Sequence, residues 1–219
     1  MSLPQFARPG AERMPVRDLP YIHRFHTPDD PDGSVIVLLH GTGGNEADLM
    51  PLAHRLNPRA TLLGVRGRST EEGINRWFRR YDTVTYDQND IRAEAGAFAA
   101  FVEAAVRGYG LDPARLTALG YSNGANLLGA EMLLDPGVLG RAILLRGIAV
   151  LDEPPAPDLS GAHVLLLSGA EDPFARLAPQ LVQALRDAGA AVDAQALAAG
   201  HTLSPDDLSK ARDWLSGRG

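Results

Sequence analysis

Short apolar segments alternate with amphipathic, helix-like segments along almost the whole chain, and this alternation limits the fold more than any other feature. The apolar segments are near-continuous runs, as in strands that are covered on both faces of a parallel sheet. Because helical patterns separate them, the order predicts an α/β fold with a mostly parallel, doubly wound sheet of about seven strands. The predicted strands are Tyr21–His26 at an edge, then Val35–Leu39, Thr61–Val65, Leu116–Tyr121, Ala142–Leu145, Val164–Leu167 and Ala191–Leu197.

Four of the intervening segments have recognisable helix signals. A long helix is predicted to begin near Asn89 or Asp90 and to bury an apolar stripe that ends near Tyr109. Another apolar stripe, over residues 177–185, ends before Gly189. Residues 204–207, Ser-Pro-Asp-Asp, have the N-cap serine, the proline at N1 and the first-turn acids that begin a helix. Pro51 would interrupt a helix that begins at Asn45, so we expect a single turn there and a new start at Pro51.

Length and composition exclude several classes of protein. A chain of 219 residues with 45% hydrophobic and 22% charged residues fits one globular domain over 1–219, with an irregular segment over 1–17. The net charge of −6 argues against a nucleic-acid or anionic-membrane partner. The lack of cysteine excludes a thiol nucleophile. We find no secretory leader and no apolar run of membrane-spanning length, so we expect a cytoplasmic protein.

Residues 120–124, Gly-Tyr-Ser-Asn-Gly, match the G-x-S-x-G pattern of a nucleophile elbow. The predicted strand Leu116–Tyr121 leads into the motif, and a helix of small residues follows it. A tight strand–helix turn needs residues without bulk beside the serine, and Gly120 and Gly124 meet that need. The same five letters also occur by chance in glycine-rich turns. The strand–turn–helix context favours Ser122 as a nucleophile.

A glycine-rich loop, His40-Gly41-Thr42-Gly43-Gly44, directly follows the strand Val35–Leu39. In this position such a loop supplies one backbone N–H of an oxyanion hole, and the residue after the nucleophile supplies the other. We therefore predict that Thr42 and Asn123 are the two donors. The loop lacks the patterns of phosphate-binding glycine loops. For His40 we expect a structural hydrogen-bonding role.

In an α/β-hydrolase, the acid and the base follow the nucleophile in that order along the chain. The strand Val164–Leu167 leads to Glu171-Asp172-Pro173, and the strand Ala191–Leu197 leads to His201. We predict that Asp172 is the acid, with Glu171 as the alternative. His201 is the predicted base, because imidazole exchanges protons near neutral pH.

With these residues placed, the chain resembles the phospholipase/carboxylesterase family of small α/β-hydrolases, especially bacterial carboxylesterases that include hydroquinone-associated ones. Acyl-protein thioesterases are more distant relatives. The resemblance covers roughly residues 34–216 and rests on the two loops above, on Val65–Arg68, on Arg76–Arg80, on Asp172-Pro173 and on Gly200-His201. It implies Ser–Asp–His hydrolysis of small or acyl-chain esters, no cofactor or metal ion, and frequently a homodimer. The segment Arg146-Gly147-Ile148-Ala149-Val150 departs from the family pattern, where a more pocket-like, proline- or histidine-bearing segment is expected.

The substrate pocket is the least determined part. The interval Gly147–His163 is too short for a cap domain, so we expect none. Arg66, Trp77 and Phe78 are candidate pocket residues, although Trp77 and Phe78 could equally be core and Arg66 a salt-bridge partner. An arginine beside the pocket would favour a substrate with a negative or carbonyl-rich group.

The leading function is therefore a serine carboxylesterase that acts on small, short-acyl esters. An acyl thioesterase or lysophospholipase-like hydrolase and a dienelactone-type hydrolase are alternatives, although the latter normally has cysteine where this chain has Ser122. A perhydrolase would use the same three residues. A binding module on a hydrolase scaffold is the non-enzyme alternative.

Overall fold

Seven strands form a single sheet in the computed structural model, which describes residues 19–217 apart from the side chain at position 72. The strand order is β1-β3-β2-β4-β5-β6-β7, and only β1 runs antiparallel to its neighbour. The predicted mostly parallel, doubly wound sheet is confirmed. The strands are β1 His23–His26, β2 Val35–Leu39, β3 Thr61–Val65, β4 Leu116–Tyr121, β5 Arg141–Leu145, β6 His163–Gly169 and β7 Ala191–Leu197.

Strand β2 explains why the apolar runs are continuous. Val35, Val37 and Leu39 point into the core on one face of the sheet, and Ile36 and Leu38 point into a second core on the other face. Because successive strand residues alternate between faces, a strand covered on both sides needs apolar side chains at every position.

Five α-helices within the described residues cover the two faces of the sheet. They are α1 Met50–Leu56, α2 Gln88–Tyr109, α3 Asn123–Leu134, α4 Ala178–Asp187 and α5 Pro205–Leu215. The apolar faces of α2, α3 and α4 contribute to the first core, and those of α1 and α5 contribute to the second.

Local signals set where these helices begin and end. The side chain of Asp87 accepts hydrogen bonds from the N–H groups of Asn89 and Asp90, so α2 begins one or two residues before the predicted position. Gly110 then ends α2 in the left-handed conformation. Ser204 and Asp207 form a reciprocal capping box at the start of α5. The expected break before Pro51 is present, because turns precede α1 and Pro51 occupies its first turn.

Two long connections shape the surface above the sheet. Residues 66–87, between β3 and α2, contain one short 3₁₀ helix, Glu71–Gly73, and two isolated bridges. Residues 146–162, all of them described, contain no helix or strand, so this connection inserts no cap domain.

None of the helices within residues 19–217 is long and apolar enough to cross a bilayer. The predicted irregular segment 1–17 lies outside the described residues, and the single-domain prediction extends beyond them at both ends.

Candidate active site

The parallel strands bring four predicted site segments to one edge of the sheet. The loop 40–44 follows β2, Ser122 follows β4, Asp172 lies three residues after β6, and His201 lies four residues after β7. Strands β2, β4, β5, β6 and β7 are neighbours and run in the same direction, so their carboxyl ends share this edge. Ligands of open α/β sheets bind at such carboxyl ends.

Ser122 occupies a strained turn between β4 and α3. Its backbone has φ 51° and ψ −115°, which a residue with a Cβ rarely adopts. The Ser122 N–H donates to the carbonyl oxygen of Leu145 at 2.8 Å, and the Asn126 N–H donates to the Ser122 carbonyl at 2.9 Å. A Cβ at Gly124 would overlap the carbonyl oxygen of Leu39, and a Cβ at Gly120 would overlap the backbone at the start of α3. Both glycines are therefore required by close backbone approach.

Ser122, His201 and Asp172 form one hydrogen-bonded chain. The Nε2 atom of His201 lies 3.0 Å from Ser122 Oγ, and its Nδ1 atom lies 2.8 Å from Asp172 Oδ2. Since a carboxylate only accepts, Nδ1–H donates to Asp172 and the bare Nε2 accepts from the serine hydroxyl. Asp172 is 3% exposed at the side chain, whereas His201 is 34% exposed. Glu171, the alternative acid, is exposed and forms no side-chain hydrogen bond or ion pair with His201 in the described part of the chain.

The Asp172 carboxylate is held from its own turn. Asp172 Oδ1 accepts the N–H of Phe174 at 2.9 Å, which leaves Oδ2 for the histidine. The rings of Phe174 and Tyr121 lie beside the imidazole, each with its centroid 5.6 Å away. The imidazole of His201 is therefore held by one hydrogen bond at each ring nitrogen and by contacts with two aromatic rings.

Thr42 and Asn123 both line the pocket that contains Ser122. Asn123 is the first residue of α3, where a backbone N–H has no partner within the helix. Within residues 19–217, the N–H groups of Thr42 and Asn123 donate to no protein acceptor, whereas the neighbouring Gly43 and Gly44 N–H groups do. Two unpaired amide donors next to a serine hydroxyl have the composition of an oxyanion hole.

The structure gives Trp77 a different place from the predicted pocket wall. Its side chain is 0% exposed and packs against Tyr21, Phe98 and His40 in the core. Its indole N–H donates to the His40 carbonyl at 2.8 Å, and its backbone N–H donates to Asn123 Oδ1 at 2.8 Å. Trp77 therefore ties together the two segments that carry the unpaired amides, and it does not line the pocket.

His40 has the structural role expected from its place after β2. It is 1% exposed, its Nδ1–H donates to the Gly41 carbonyl, and its Nε2 accepts the N–H of Gly67 at 3.0 Å. Burial lowers the pKa of His40, which favours the neutral imidazole that this pattern requires. The ring connects the glycine loop to the segment that follows β3.

Arg66 also lies elsewhere than predicted. Its guanidinium forms a bidentate pair with Glu46, with Nε–Oε2 at 2.6 Å and Nη2–Oε1 at 2.9 Å, and it does not line the pocket. Side-chain length explains the difference, because an arginine that follows a strand can reach a carboxylate on a neighbouring loop. Of the three candidate pocket residues, the structure brings only Phe78 to the pocket.

The pocket is small and carries positive charge. Its volume is about 190 Å³, and the segment 66–87 supplies one wall. The described lining residues include three arginines, of which Arg146 is paired with Asp207, and no acid. Burial raises the pKa of the Tyr86 phenol, while the positive charges of Arg80 and Arg76 oppose that change and Asp82 adds to it. The lining residues are Thr42, Arg76, Phe78, Arg80, Thr83, Tyr86, Ser122, Asn123, Asn126, Arg146, Ile148, Phe174 and His201.

Several site residues were not identified from the sequence. Asn126 Oδ1 accepts the N–H of Ile148 at 2.9 Å, and Arg146 and Asp207 form a buried ion pair beside the His201 loop. The departure at Arg146 from the family pattern was a signal in the sequence, but its partner 61 residues later was not. Within residues 19–217, no group of three or more His, Asp or Glu side chains is arranged to hold a metal ion.

Comparison with known proteins agrees with this architecture. The sequence pattern of the phospholipase/carboxylesterase family matches residues 22–217. A curated relative, the putative hydrolase MhqD of Bacillus subtilis (strain 168), is 34% identical over 183 residues, which are 83% of this chain and 92% of the relative.

Solved structures give the same result. A carboxylesterase from Mesorhizobium loti is 42% identical and superposes with a TM-score of 0.89, covering 92% of this chain and 97% of its own. The Bacillus cereus carboxylesterase is 31% identical with a TM-score of 0.87, covering 92% and 96%. The resemblance drawn from the motifs is confirmed.

Proposed function

This chain belongs to the phospholipase/carboxylesterase family and is an ester hydrolase of the α/β-hydrolase fold, and from that premise we propose that it is a serine carboxylesterase with Ser122 as the nucleophile. One observation carries the proposal: the hydrogen-bonded chain Ser122–His201–Asp172 lies beside two amide donors that have no protein acceptor. In this assignment Asp172 is the acid, His201 is the base, and Thr42 and Asn123 form the oxyanion hole.

Acylation follows from the directions of these hydrogen bonds. Ser122 Oγ attacks the ester carbonyl carbon while its proton moves to His201 Nε2. Asp172, which accepts Nδ1–H, stabilises the imidazolium that forms. The carbonyl oxygen becomes an oxyanion and accepts the Thr42 and Asn123 N–H groups, a contribution worth about 10²–10³ in rate for each donor. The intermediate then collapses, and the leaving alcohol takes the proton from Nε2.

Deacylation repeats the same proton movements with water. A water molecule loses a proton to His201 Nε2 as it attacks the acyl-enzyme carbonyl, and the proton returns to Ser122 Oγ when the acid leaves. The partial exposure of His201 supports this step, because solvent reaches the base without a lid having to open.

The dimensions of the pocket support short acyl groups. A volume of about 190 Å³ is smaller than the roughly 300–1,000 Å³ of pockets that hold drug-sized ligands. Phe78, Ile148 and Phe174 supply apolar surface, but the segment 66–87 closes one side. We place the preferred acyl chain at about two to six carbons, where each buried methylene still contributes up to about 0.8 kcal/mol.

The charge of the pocket supports a carbonyl-rich or carboxylate-bearing substrate. Arg80 is half-buried on the wall, and its guanidinium forms no hydrogen bond or ion pair with residues of the described part of the chain. Arg80 is thus the lining residue best suited to meet an anionic group of the substrate.

The test is a series of p-nitrophenyl esters from acetate to dodecanoate beside matched thioesters, measured for the wild type and for Ser122→Ala. We expect an optimum at two to six carbons, higher kcat/KM for esters than for thioesters, and a loss of up to about 10⁶ in turnover in the variant. A folded Ser122→Ala that kept a tenth of the activity would remove the nucleophile assignment. An optimum at eight or more carbons, or a preference for thioesters, would contradict the short-acyl carboxylesterase and favour the thioesterase or lysophospholipase-like alternative.

A further inference from the structure

Arg146 begins the segment that departs from the pattern expected of the family, and it has an unusual environment. It directly follows β5 with φ 57°, the left-handed conformation that favours glycine. Its side chain is 0% exposed, although guanidinium groups are seldom fully buried. A buried charge on a strained backbone requires a specific compensating environment.

The environment accounts for every donor of the guanidinium. Nη1 and Nη2 lie 2.7 and 2.9 Å from the two carboxylate oxygens of Asp207. The remaining donors reach three backbone carbonyls: Nε to Gly200 at 2.8 Å, Nη1 to Leu167 at 3.3 Å and Nη2 to Thr202 at 3.3 Å. Five N–H groups thus have five acceptors, and none remains for a substrate.

Two of these carbonyls flank the base. Gly200 and Thr202 are the residues on either side of His201, and the carbonyl of His201 itself accepts the Tyr121 hydroxyl at 3.1 Å. Burial raises the pKa of Tyr121, so this hydroxyl keeps its proton and remains a donor. The consecutive carbonyls of residues 200–202 therefore accept hydrogen bonds from Tyr121 and Arg146, and we call this set of contacts the clamp.

We infer that Arg146, held by Asp207, is a positioning residue that fixes the His201 loop so that Nε2 stays within reach of Ser122 Oγ and Nδ1 within reach of Asp172. The inference rests on the proposed function. Functional groups need second-layer support to stay within about 0.5 Å of the productive geometry, and a displacement of about 1 Å can cost about 100-fold in rate. Loop residues without regular secondary structure depend most on such support.

Asp207 also caps the N-terminus of α5. Its Oδ2 also accepts the N–H and the hydroxyl of Ser204 at 2.7 and 2.9 Å, which forms the cap of α5. Because a buried ion pair is weak evidence for stability by itself, its best explanation here is the geometry that it imposes. The pair links α5, β6 and the residue after β5 to one loop.

The main experiment uses Arg146→Gly combined with Asp207→Asn. Glycine suits the backbone at position 146, and asparagine keeps an acceptor for the Ser204 N–H, so neither an unpaired charge nor a lost cap is introduced. We expect a folded variant in which kcat for p-nitrophenyl butyrate falls 10- to 100-fold while KM stays within about twofold. The matched control is Arg68→Met with Glu94→Gln, which removes another bidentate pair, with Nε–Oε2 at 3.1 Å and Nη2–Oε1 at 2.8 Å, outside the active site.

Two further readouts separate positioning from stability. The proton shared by His201 Nδ1 and Asp172 should give a low-field NMR signal in the wild type that is lost or broadened in the double variant, without any substrate present. Ethylguanidinium at non-denaturing concentration should restore kcat in Arg146→Gly, because it fills the vacated guanidinium site, whereas ethylammonium should not.

The outcomes are distinct. A folded double variant with kcat within twofold of wild type and an unchanged NMR signal would overturn the inference, and a rise in KM alone would make Arg146 a substrate-binding group instead. If the double variant does not fold, Tyr121→Phe tests the same clamp, with an expected two- to fivefold fall in kcat and a broadened signal; no change in either would contradict it. An inactive wild type that still shows the low-field signal would count against the proposed function and not against the clamp.

Discussion

The indole N–H of Trp77 donates to the carbonyl oxygen of His40, so a fully buried aromatic side chain carries a hydrogen bond to the start of the glycine loop. The same residue donates its backbone N–H to the side chain of Asn123. One core residue thereby sets the distance between the two segments of the candidate oxyanion hole. Core packing and site geometry are linked at this point.

Replacing Trp77 with Phe should lower both stability and turnover. The change leaves the buried His40 carbonyl without the indole donor, which costs about 1–3 kcal/mol in the free energy of unfolding. We expect kcat to fall as the loop loosens, while the acyl-chain profile keeps its shape because Trp77 is not in the pocket. Urea denaturation and the ester series provide the measurements, with Trp214→Phe as the control for loss of an indole. A changed chain-length optimum would instead show that Trp77 contributes to the wall of the substrate pocket.

The two neighbouring acids should behave differently. Asp172→Asn removes the carboxylate that orients His201, and in serine proteases the corresponding change costs about 10⁴ in kcat. Glu171 is exposed, so Glu171→Gln should keep nearly normal kcat/KM. Steady-state kinetics of both variants at one pH decides the matter. If Glu171→Gln lost activity instead, Glu171 and not Asp172 would be the catalytic acid.

Glu131 should make stability fall as pH rises. It lies in α3 at 0% exposure, and neither carboxylate oxygen has a hydrogen-bond partner among the described residues. Burial, with a smaller contribution from the charge of Asp135, raises its pKa well above the usual range. A raised folded pKa means that the stabilising, protonated form is fully present below the ordinary value. Its contribution is lost by up to about 1.4 kcal/mol per pH unit as pH increases towards the folded pKa.

Glu131→Gln should therefore be as stable as wild type near pH 4 and more stable at pH 8. Thermal melts across that range measure the difference, with the exposed Glu103→Gln as the matched control. Equal pH dependence in wild type and Glu131→Gln would show that Glu131 ionises in the folded protein at no cost.

Arg80 should confer a preference for carboxylate-bearing esters. Comparing monomethyl succinate with methyl butyrate, and 4-carboxyphenyl butyrate with 4-acetylphenyl butyrate, places the carboxylate on either side of the ester bond. A hydrogen bond to a charged group contributes about 1.5–3 kcal/mol, so Arg80→Gln should lower kcat/KM about tenfold or more for at least one carboxylate substrate. Neutral esters and the exposed control Arg107→Gln should be unaffected. Equal losses on neutral and charged esters would assign Arg80 to the structure of the wall.

Local features of the sequence determined the sheet, the order of the site segments and the relation to a family. Continuous apolar runs follow from burial on both faces, and parallel strands bring the residues after their carboxyl ends to one edge. Together with the G-x-S-x-G motif and the order of the segments, this predicted that Ser122, Asp172 and His201 lie close together. The start of α5 was also predictable, because the serine cap, the proline and the acids after Ser204 all act within one turn of the helix. These inferences need only short-range rules and the topology that such rules imply.

Tertiary structure decided which long side chains reach the site. Arg66 and Trp77 follow strands or loops at the correct edge, yet one pairs with Glu46 and the other is enclosed by the core. Arg146 meets Asp207 across 61 residues and closes around His201. A side chain of several rotatable bonds finds its partner by distance, charge and available volume in three dimensions. The spacing of residues along the sequence does not contain these quantities. For this reason the pocket lining and the clamp could be identified only from the tertiary structure.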